Sequence, residues 1–540
     1  MTITFKTNSE DSWWKKGIIY QIYPRSFKDN NCDGVGDLKG IISKLDYLEW
    51  LAIDAIWLSP IFSSPMEDFG YDVSNYTEIH PLFGTLDEFD ELINEAHKRN
   101  IKILLDYVIN HSSDQHPWFK ESRLSLSNSK KDWYIWKNPK SDGSPPNNWI
   151  SLDQGSAWTF EKSRNQYYLH SFLPCQPDLN WRNPEVREEM SNVLKFWMDR
   201  GVDGFRIDMI SWIIKDEDFR DDPISESYNP KTNTPYEKLE HVHSSNRPER
   251  FDILKEIRST IDEYPNRVSI GEVNYFTPLD KLIKYYGEEN NLIIDLPVNF
   301  RILYLPWKAS IIKDFVDSYD NLLPKYAWPN YQIGNHDRPR VVSRIGEQQA
   351  KMAAMLLLTL RGTPFIYNGE EIGMHNIEIQ SEKMQDPLEH KQHGFGRDPF
   401  RTPMQWDSSK FAGFSEEKPW LPISEDYEII NVDKQMNDPF SFLTLYKRLI
   451  ELRRKYSTLS LGNYKSEKLK NNSCFVYNRI FKRNHCLIAL NFSNSEQSLE
   501  IVKIKGKKIL LSTYLDRQEE LGSNILVLRP NEGCIIIISN

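Results

Sequence analysis

Several features that would mark a specialised compartment or partner are missing from this chain of 540 residues. Cysteine is scarce: Cys32, Cys175, Cys474, Cys486 and Cys534 are odd in number, and none form a CxxC pair. That spacing argues against a zinc site and against a disulfide framework, and for free thiols. No run of about 18 apolar residues occurs, so no membrane-spanning helix is expected. Basic charge is not in excess. The 67 Lys and Arg stand against 77 Asp and Glu, a net charge of −10. That is the wrong sign for a nucleic-acid or anionic-membrane partner. Residues 1–10 lack a basic segment followed by an apolar run, so no signal peptide is expected and a cytoplasmic location is. There is no internal repeat and no low-complexity stretch.

What is present points to a large globular protein. The length exceeds one simple core and predicts two or three domains, one of them large. Aromatic residues make up 13% of the chain, with 16 Trp and 26 Tyr, which suits core packing and equally suits stacking on sugar rings.

Apolar runs alternate with amphipathic stretches. Residues 17–23, 55–60, 101–108, 204–208, 267–273, 291–296, 331–334 and 364–367 read as eight strands. Between them, residues 45–51, 85–99, 185–200, 251–263 and 348–361 carry helical spacing. Thr85 with Glu88 three residues later has the spacing of a capping box. Eight such units predict an α/β fold, a (β/α)8 TIM barrel, whose active site lies at the C-terminal ends of the strands.

Two segments break the alternation. Residues 111–180 are too long for an ordinary loop and read as an inserted subdomain after strand three. Residues 216–250 read as a long loop or lid. From residue 460 short alternating runs at 474–478, 486–491, 508–511 and 534–538 predict an antiparallel C-terminal domain. The expected layout is a catalytic barrel of residues 1–110 and 181–459, an insert of 111–180, and a β domain of 460–540.

Near the start, Asp29, Asn31, Asp33 and Asp37 place oxygen side chains around a turn glycine, with the Val35 carbonyl available as a fifth ligand. Hard cations take such oxygen sets, so a structural Ca²⁺ or Mg²⁺ site is expected. The loop differs from an EF-hand: a strand precedes it and no Glu stands at the twelfth position. A turn held by its own side-chain hydrogen bonds is the other reading.

Three acidic residues fall at predicted strand ends: Asp208 after strand four, Glu272 after strand five and Asp337 after strand seven. Arg206, two residues before Asp208, shares its face of the strand and can hold it ionised. A barrel would bring these groups together with His111 and His336, and so many buried charges are costly unless function retains them. Retaining glycoside hydrolysis needs two carboxyl groups about 5–5.5 Å apart, which neighbouring strands can supply.

The motifs DYVINH (106–111), QPDLNW (176–181), GFRIDMIS (204–211), GEV (271–273), GNHDRPR (334–340), GTPFIYNGEEIG (362–373) and GRDPFRTPMQWD (396–407) follow in order. In that ordered set, spanning nearly the whole chain, the sequence resembles the α-amylase family of glycoside hydrolases, and within it the α-glucosidase and oligo-1,6-glucosidase branch. The resemblance implies Asp208 as nucleophile, Glu272 as acid/base and Asp337 as transition-state stabiliser. It implies a pocket for the terminal glucose formed by Asp68, Tyr71, His111, Phe172, Arg206, His336 and Arg397, with Tyr71 stacking on the ring. It also implies the barrel, the insert and a C-terminal β-sandwich, and the metal loop matches the family's pattern.

One residue departs from the branch. Valine after the nucleophile goes with α-1,6 bonds, and alanine or threonine with α-1,4; this chain has Met209. The expected function is a retaining, exo-acting α-glucosidase on short oligosaccharides or disaccharides, as a monomer or homodimer. Transglucosylation, or sucrose or trehalose isomerisation, would use the same intermediate. A non-catalytic transporter-associated relative is the distant alternative; such relatives carry a membrane helix and have lost the carboxylates.

Overall fold

The structure is a computed structural model that describes residues 12–274, 277–391, 394–469, 472–500, 507–521 and 524–538. Residues 1–10, read above for a signal segment, lie outside the described residues.

Eight parallel strands form a barrel. They are β1 (Ile19–Ile22), β2 (Ala55–Leu58), β3 (Lys102–Val108), β4 (Gly204–Asp208), β5 (Val268–Glu272), β6 (Leu296–Val298), β7 (Asn330–Gln332) and β8 (Thr363–Tyr367). Their order around the sheet is β6-β5-β4-β3-β2-β1-β8-β7. Among the described residues β6 and β7 share no backbone ladder. Pro297, in β6, has no N–H to offer one. The Asn330 side chain bridges the seam instead: Nδ2 donates to the Pro297 carbonyl at 2.6 Å, and Oδ1 accepts from the Asn299 N–H at 3.2 Å.

Two predicted strands move. The run at 291–296 is apolar enough to read as strand six, yet only Leu296–Val298 joins the barrel. Asn291–Leu292 turns back on Gly287–Glu288 as a small hairpin. Asp295 ends that run by accepting hydrogen bonds from the Ser269 N–H and hydroxyl, which anchors it beside β5. Strand seven is Asn330–Gln332 rather than 331–334, so Asp337 lies five residues past its end (337 − 332 = 5) and not at it.

The helices follow the sequence closely. Leu86–Lys98 begins with the expected capping box: Thr85 Oγ1 accepts from Glu88 N–H at 3.2 Å, and Glu88 Oε2 accepts from Thr85 N–H at 2.9 Å. Pro184–Asp199, Arg250–Asp262 and Glu347–Thr359 lie where helical periodicity placed them.

Alternation along the strands divides the barrel into two environments. On β4, Phe205 and Ile207 belong to the large apolar cluster beneath the helices. Inside the barrel Ile19, Ala55, Trp57, Leu104, Val268, Ile270, Leu296 and Phe365 pack together. Above that plug, at the C-terminal strand ends, the interior turns polar with Asp106, Arg206, Asp208 and His336, all buried.

The insert carries a three-stranded antiparallel sheet, with Gln166–Leu169 between Trp136–Lys137 and Trp158–Glu161. Its own small core holds Ile135, Trp149, Ala157, Trp158 and Leu169. The two interruptions dock on one another. Asn147 Nδ2 donates to the Phe219 carbonyl at 3.0 Å, Asn148 Nδ2 to the Asp222 carbonyl at 2.9 Å, and Trp149 Nε1 to the Arg220 carbonyl at 2.9 Å. Both therefore arch over the same end of the barrel.

The C-terminal part is a five-stranded antiparallel sheet ordered Asn463–Ser466, Cys474–Phe481, Asn484–Asn491, Gly533–Ile538, Lys507–Ser512. A ribbon of Gln497–Glu500 and Ile525–Leu528 packs its Leu499, Leu526 and Leu528 against that sheet. The five cysteines are free thiols. No helix among the described residues is long and apolar enough to cross a membrane.

Candidate active site

The register of the sheet assembles the site. Across the ladder Arg206 on β4 stands between Asp106 on β3 and Ile270 on β5. Its guanidinium, 2% exposed, meets three carboxylates. Nη1 donates to Asp106 Oδ1 at 2.7 Å and to Asp208 Oδ1 at 2.6 Å, and Nη2 lies 2.6 Å from Glu272 Oε2. Asp106 also accepts from Trp57 Nε1 at 3.2 Å and from the Tyr71 hydroxyl at 3.1 Å.

Asp208 and Glu272 are held on the two terminal nitrogens of the same guanidinium. Burial pushes Asp208 well above the ordinary aspartate range; Arg206 opposes the shift, while Glu272 and Asp106 add to it. Burial likewise pushes Asp106 up to about 6 against the pull of Arg206.

Asp337 sits in the opposite field. Burial works against its ionisation, but His336, Arg401 and Arg397 outweigh that and hold it well below the usual range. Arg401 Nη2 donates to its Oδ1 at 2.9 Å, and Arg397 Nη1 does so at 3.3 Å. Asp208 and Asp337 thus shift in opposite directions because their surroundings differ in sign. Such divergence separates proton-carrying roles from purely electrostatic ones.

An ion-pair chain runs along the pocket wall. Arg397 Nη2 donates to Asp68 Oδ1 at 2.9 Å, and its Nε to Asp386 Oδ2 at 2.7 Å. Asp386, although buried, is held down at about 2 by Arg397. His111 lines the same pocket, its Nε2 3.1 Å from the Tyr71 carbonyl and its ring 4.9 Å from that of Phe172.

Nine of the ten residues expected in the site line one cavity of about 210 Å³: Asp68, Tyr71, His111, Phe172, Arg206, Asp208, Glu272, Asp337 and Arg397. His336 stands behind the wall. Its ring stacks on Tyr71 at 5.7 Å, and the Gln21 amide donates to its Nδ1 at 2.7 Å, which leaves the proton on Nε2. Burial lowers His336 to about 3, so it is a neutral buttress.

Sequence reasoning missed several contributors. Asp106 sits in a motif it singled out, yet the link to Arg206 needs the β3–β4 register. Asp386 and Arg401 lie in irregular loops that carry no periodic signal. Leu152, Trp212 and Tyr236 come from the insert and from the chain after β4. Met209 adopts a left-handed conformation, φ 45°, uncommon for a residue with a side chain. Its N–H thereby points at Glu272 Oε2, 3.2 Å away.

The side chains of the expected cation loop accept hydrogen bonds from the loop's own backbone. Asp29 Oδ1 accepts from Cys32 N–H at 2.8 Å, Asp33 Oδ1 from Val35 N–H at 2.8 Å, and Asp37 Oδ2 from Asn30 N–H at 2.9 Å. Asn31 Oδ1 accepts from Asp33 N–H at 3.0 Å. Among the described residues no group of three or more His, Cys, Asp or Glu is arranged to hold a metal ion.

Comparison with known proteins agrees with this architecture. The family model described as "Alpha amylase, catalytic domain" matches residues 21–462. A probable alpha-glucosidase of Rhizobium meliloti (strain 1021) is 43% identical over 86% of this chain and 87% of its own. An oligo-1,6-glucosidase of Parageobacillus thermoglucosidasius is 37% identical over 97% of this chain and 98% of its own. The crystal structure of an alpha-glucosyl transfer enzyme superposes with a TM-score of 0.92 at 37% identity, covering 98% of this chain and all of that one.

Proposed function

The chain belongs to the alpha-amylase family and is a glycoside hydrolase; from that premise we propose that it releases glucose from the non-reducing end of short α-glucosides with retention of configuration. The observation that carries this reading is the pairing of Asp208 with Glu272 around Arg206. Both carboxyls bond to one guanidinium, which suits the close pair of a retaining enzyme, about 5–5.5 Å apart, rather than the roughly 6.5–9.5 Å of an inverting pair.

In the first step Asp208 attacks the anomeric carbon. The glycosidic C–O bond breaks as the Asp208 ester forms, and Glu272 gives its proton to the departing oxygen. In the second step Glu272 takes a proton from water. The water oxygen bonds to the anomeric carbon, and the ester bond returns its electrons to Asp208. Asp337, held anionic by Arg401 and Arg397, grips sugar hydroxyls and favours the cationic character of the transition state.

Exo action on a terminal glucose is part of this reading, as the resemblance implies. Asp68, Arg397 and His111 line the pocket with the three acidic residues and supply ionic and hydrogen-bonding groups for a single sugar. The resemblance in fold to an alpha-glucosyl transfer enzyme supports a second outcome for the same intermediate, in which a sugar hydroxyl replaces water. The oxygen side chains of Asp29, Asn31, Asp33 and Asp37 with the Val35 carbonyl are of the hard-donor kind that Ca²⁺ or Mg²⁺ takes, and a structural cation there is part of this proposal.

The deciding experiment is glucose release from maltose, isomaltose, sucrose and trehalose side by side, with Asp208→Asn as control. Release abolished by that substitution is expected. Activity near the wild-type level in the variant would overturn the assignment of the nucleophile.

A further inference from the structure

A cavity of about 440 Å³ shares no lining residue with the catalytic pocket. It lies where three elements meet: the strand Asn75–Ile79, the helix Pro117–Ser122 of the insert, and the helix Pro184–Asp199. Sites for small ligands measure roughly 300–1,000 Å³, and this cavity lies within that range. Tyr76 lines it and reaches towards the catalytic side, where its hydroxyl donates to the His111 carbonyl at 2.8 Å.

The wall of this cavity holds a buried donor that the fold leaves unspent. His116 is 4% exposed. Its Nδ1 accepts from the Trp118 N–H at 3.1 Å, which caps the helix Pro117–Ser122 and leaves the ring proton on Nε2. Burial and the nearby Lys130 hold the ring neutral, at about 3. The Nε2–H meets no acceptor among the described residues. A buried donor is costly unless water or a ligand accepts from it.

The aromatic part of the wall is fixed in advance. Trp118 is half-buried, and three rings brace it: His116 at 4.2 Å, Trp133 at 5.0 Å and Tyr76 at 5.8 Å. Phe196, also half-buried, supplies a second ring from the helix Pro184–Asp199. Rings that are already immobile lose little entropy when a ligand covers them.

Charge argues against an anionic ligand. No Lys or Arg lines the cavity, and its one acidic residue is Glu189, exposed on the helix. A phosphate or carboxylate needs converging cationic donors. Neutral hydroxyls take what is present. Glu189 accepts, and Asn192 beside it both donates and accepts. Asn75 spends its Oδ1 on the Thr77 N–H at 3.0 Å and hydroxyl at 3.1 Å, and keeps its Nδ2 donor. Aromatic faces with dispersed donors and acceptors suit a ligand that has apolar faces and hydroxyl edges.

We propose that this cavity is an auxiliary binding site for a neutral saccharide, which lies against Trp118 and Phe196 while His116 Nε2 donates to one of its hydroxyls. The site goes beyond the α-glucosidase reading above. Failure of that reading appears as absent glucose release, which the measurement below does not use.

The test is calorimetric titration of the Asp208→Asn protein, which does not consume the sugar, with maltotriose. Saccharide binding is expected that disappears when Asn192→Trp is added, since a Trp there fills the cavity from an exposed position on the helix. Adding Trp118→Ala instead weakens the same binding by about tenfold or more, the loss of one aromatic face. With Asp208 intact, Asn192→Trp keeps the wild-type rate of glucose release, which shows that the variant is folded. Where Trp118→Ala disturbs the packing around Trp133, Asn192→Trp alone decides. Saccharide binding that is absent, or that Asn192→Trp leaves unchanged, overturns the proposal. Inorganic phosphate binding that Asn192→Trp abolishes also overturns it, because the site then selects an anion.

Discussion

Arg206 and Glu272, on adjacent strands, meet at 2.6 Å through Nη2 and Oε2, and the other guanidinium nitrogen of Arg206 holds Asp208. One planar cation thus spaces the two groups that the proposed chemistry uses. Lysine offers a point charge on a flexible stem and cannot span both with fixed geometry. Arg206→Lys is expected to lower kcat/KM by roughly 100-fold or more, equivalent to about 2.7 kcal/mol of transition-state stabilisation. Steady-state kinetics on the best substrate measure it, and a loss under threefold would refute a spacing role.

Asp106 bears on the pH profile. It is one of the negative charges that raise Asp208, after burial and Glu272. The acid limb of kcat/KM should therefore lie above the ordinary aspartate value of about 3.9. Asp106→Asn removes a negative neighbour, so the limb moves to lower pH. A profile that stays put, or shifts upward, would contradict the electrostatic coupling.

Glu370 sets a different pH dependence, that of stability. It is fully buried; its Oε1 accepts from the Tyr446 hydroxyl at 2.9 Å, and burial pushes it up to about 8. The unfolded value is near 4.3. Between those values the folded state holds a proton that the unfolded state releases, so stability is full below the lower value and falls as pH rises through the upper one. Melting temperature should drop from pH 6 to pH 8, and Glu370→Gln, which keeps an acceptor for Tyr446, should flatten that drop. Equal slopes for the two proteins would rule Glu370 out as the source.

Met209 constrains its own replacement. At φ 45° a β-branched side chain is strained, by about 1–2 kcal/mol for a left-handed residue. Met209→Val should lower the melting temperature, and through the Glu272 contact of its N–H it should change the ratio of isomaltose to maltose cleavage. An unchanged ratio would detach linkage preference from this position.

The cation loop is tested by chelation. Treatment with EDTA followed by thermal melting should lower the melting temperature, with Ca²⁺ or Mg²⁺ restoring it. No shift after complete metal removal would mean that the self-capping hydrogen bonds of Asp29, Asn31, Asp33 and Asp37 suffice.

The sequence by itself determined the alternation of strands and helices, the capping box at Thr85 and the placing of Asp208 and Glu272 at strand ends. These follow from local periodicity and hydrogen-bonding chemistry, which act over a few residues. It placed strand six too early, because the apolar run at 291–296 satisfies strand periodicity wherever it pairs. Only the tertiary structure decided the partners of Arg206 beyond Asp208, the Asp386–Arg397 link, the retreat of His336 behind Tyr71 and the bridging of the β6–β7 seam by Asn330. Each of these depends on the register of a nearly closed sheet or on the docking of two long loops. Those are non-local pairings, chosen by packing and by the need to satisfy buried polar groups, and no local pattern encodes them.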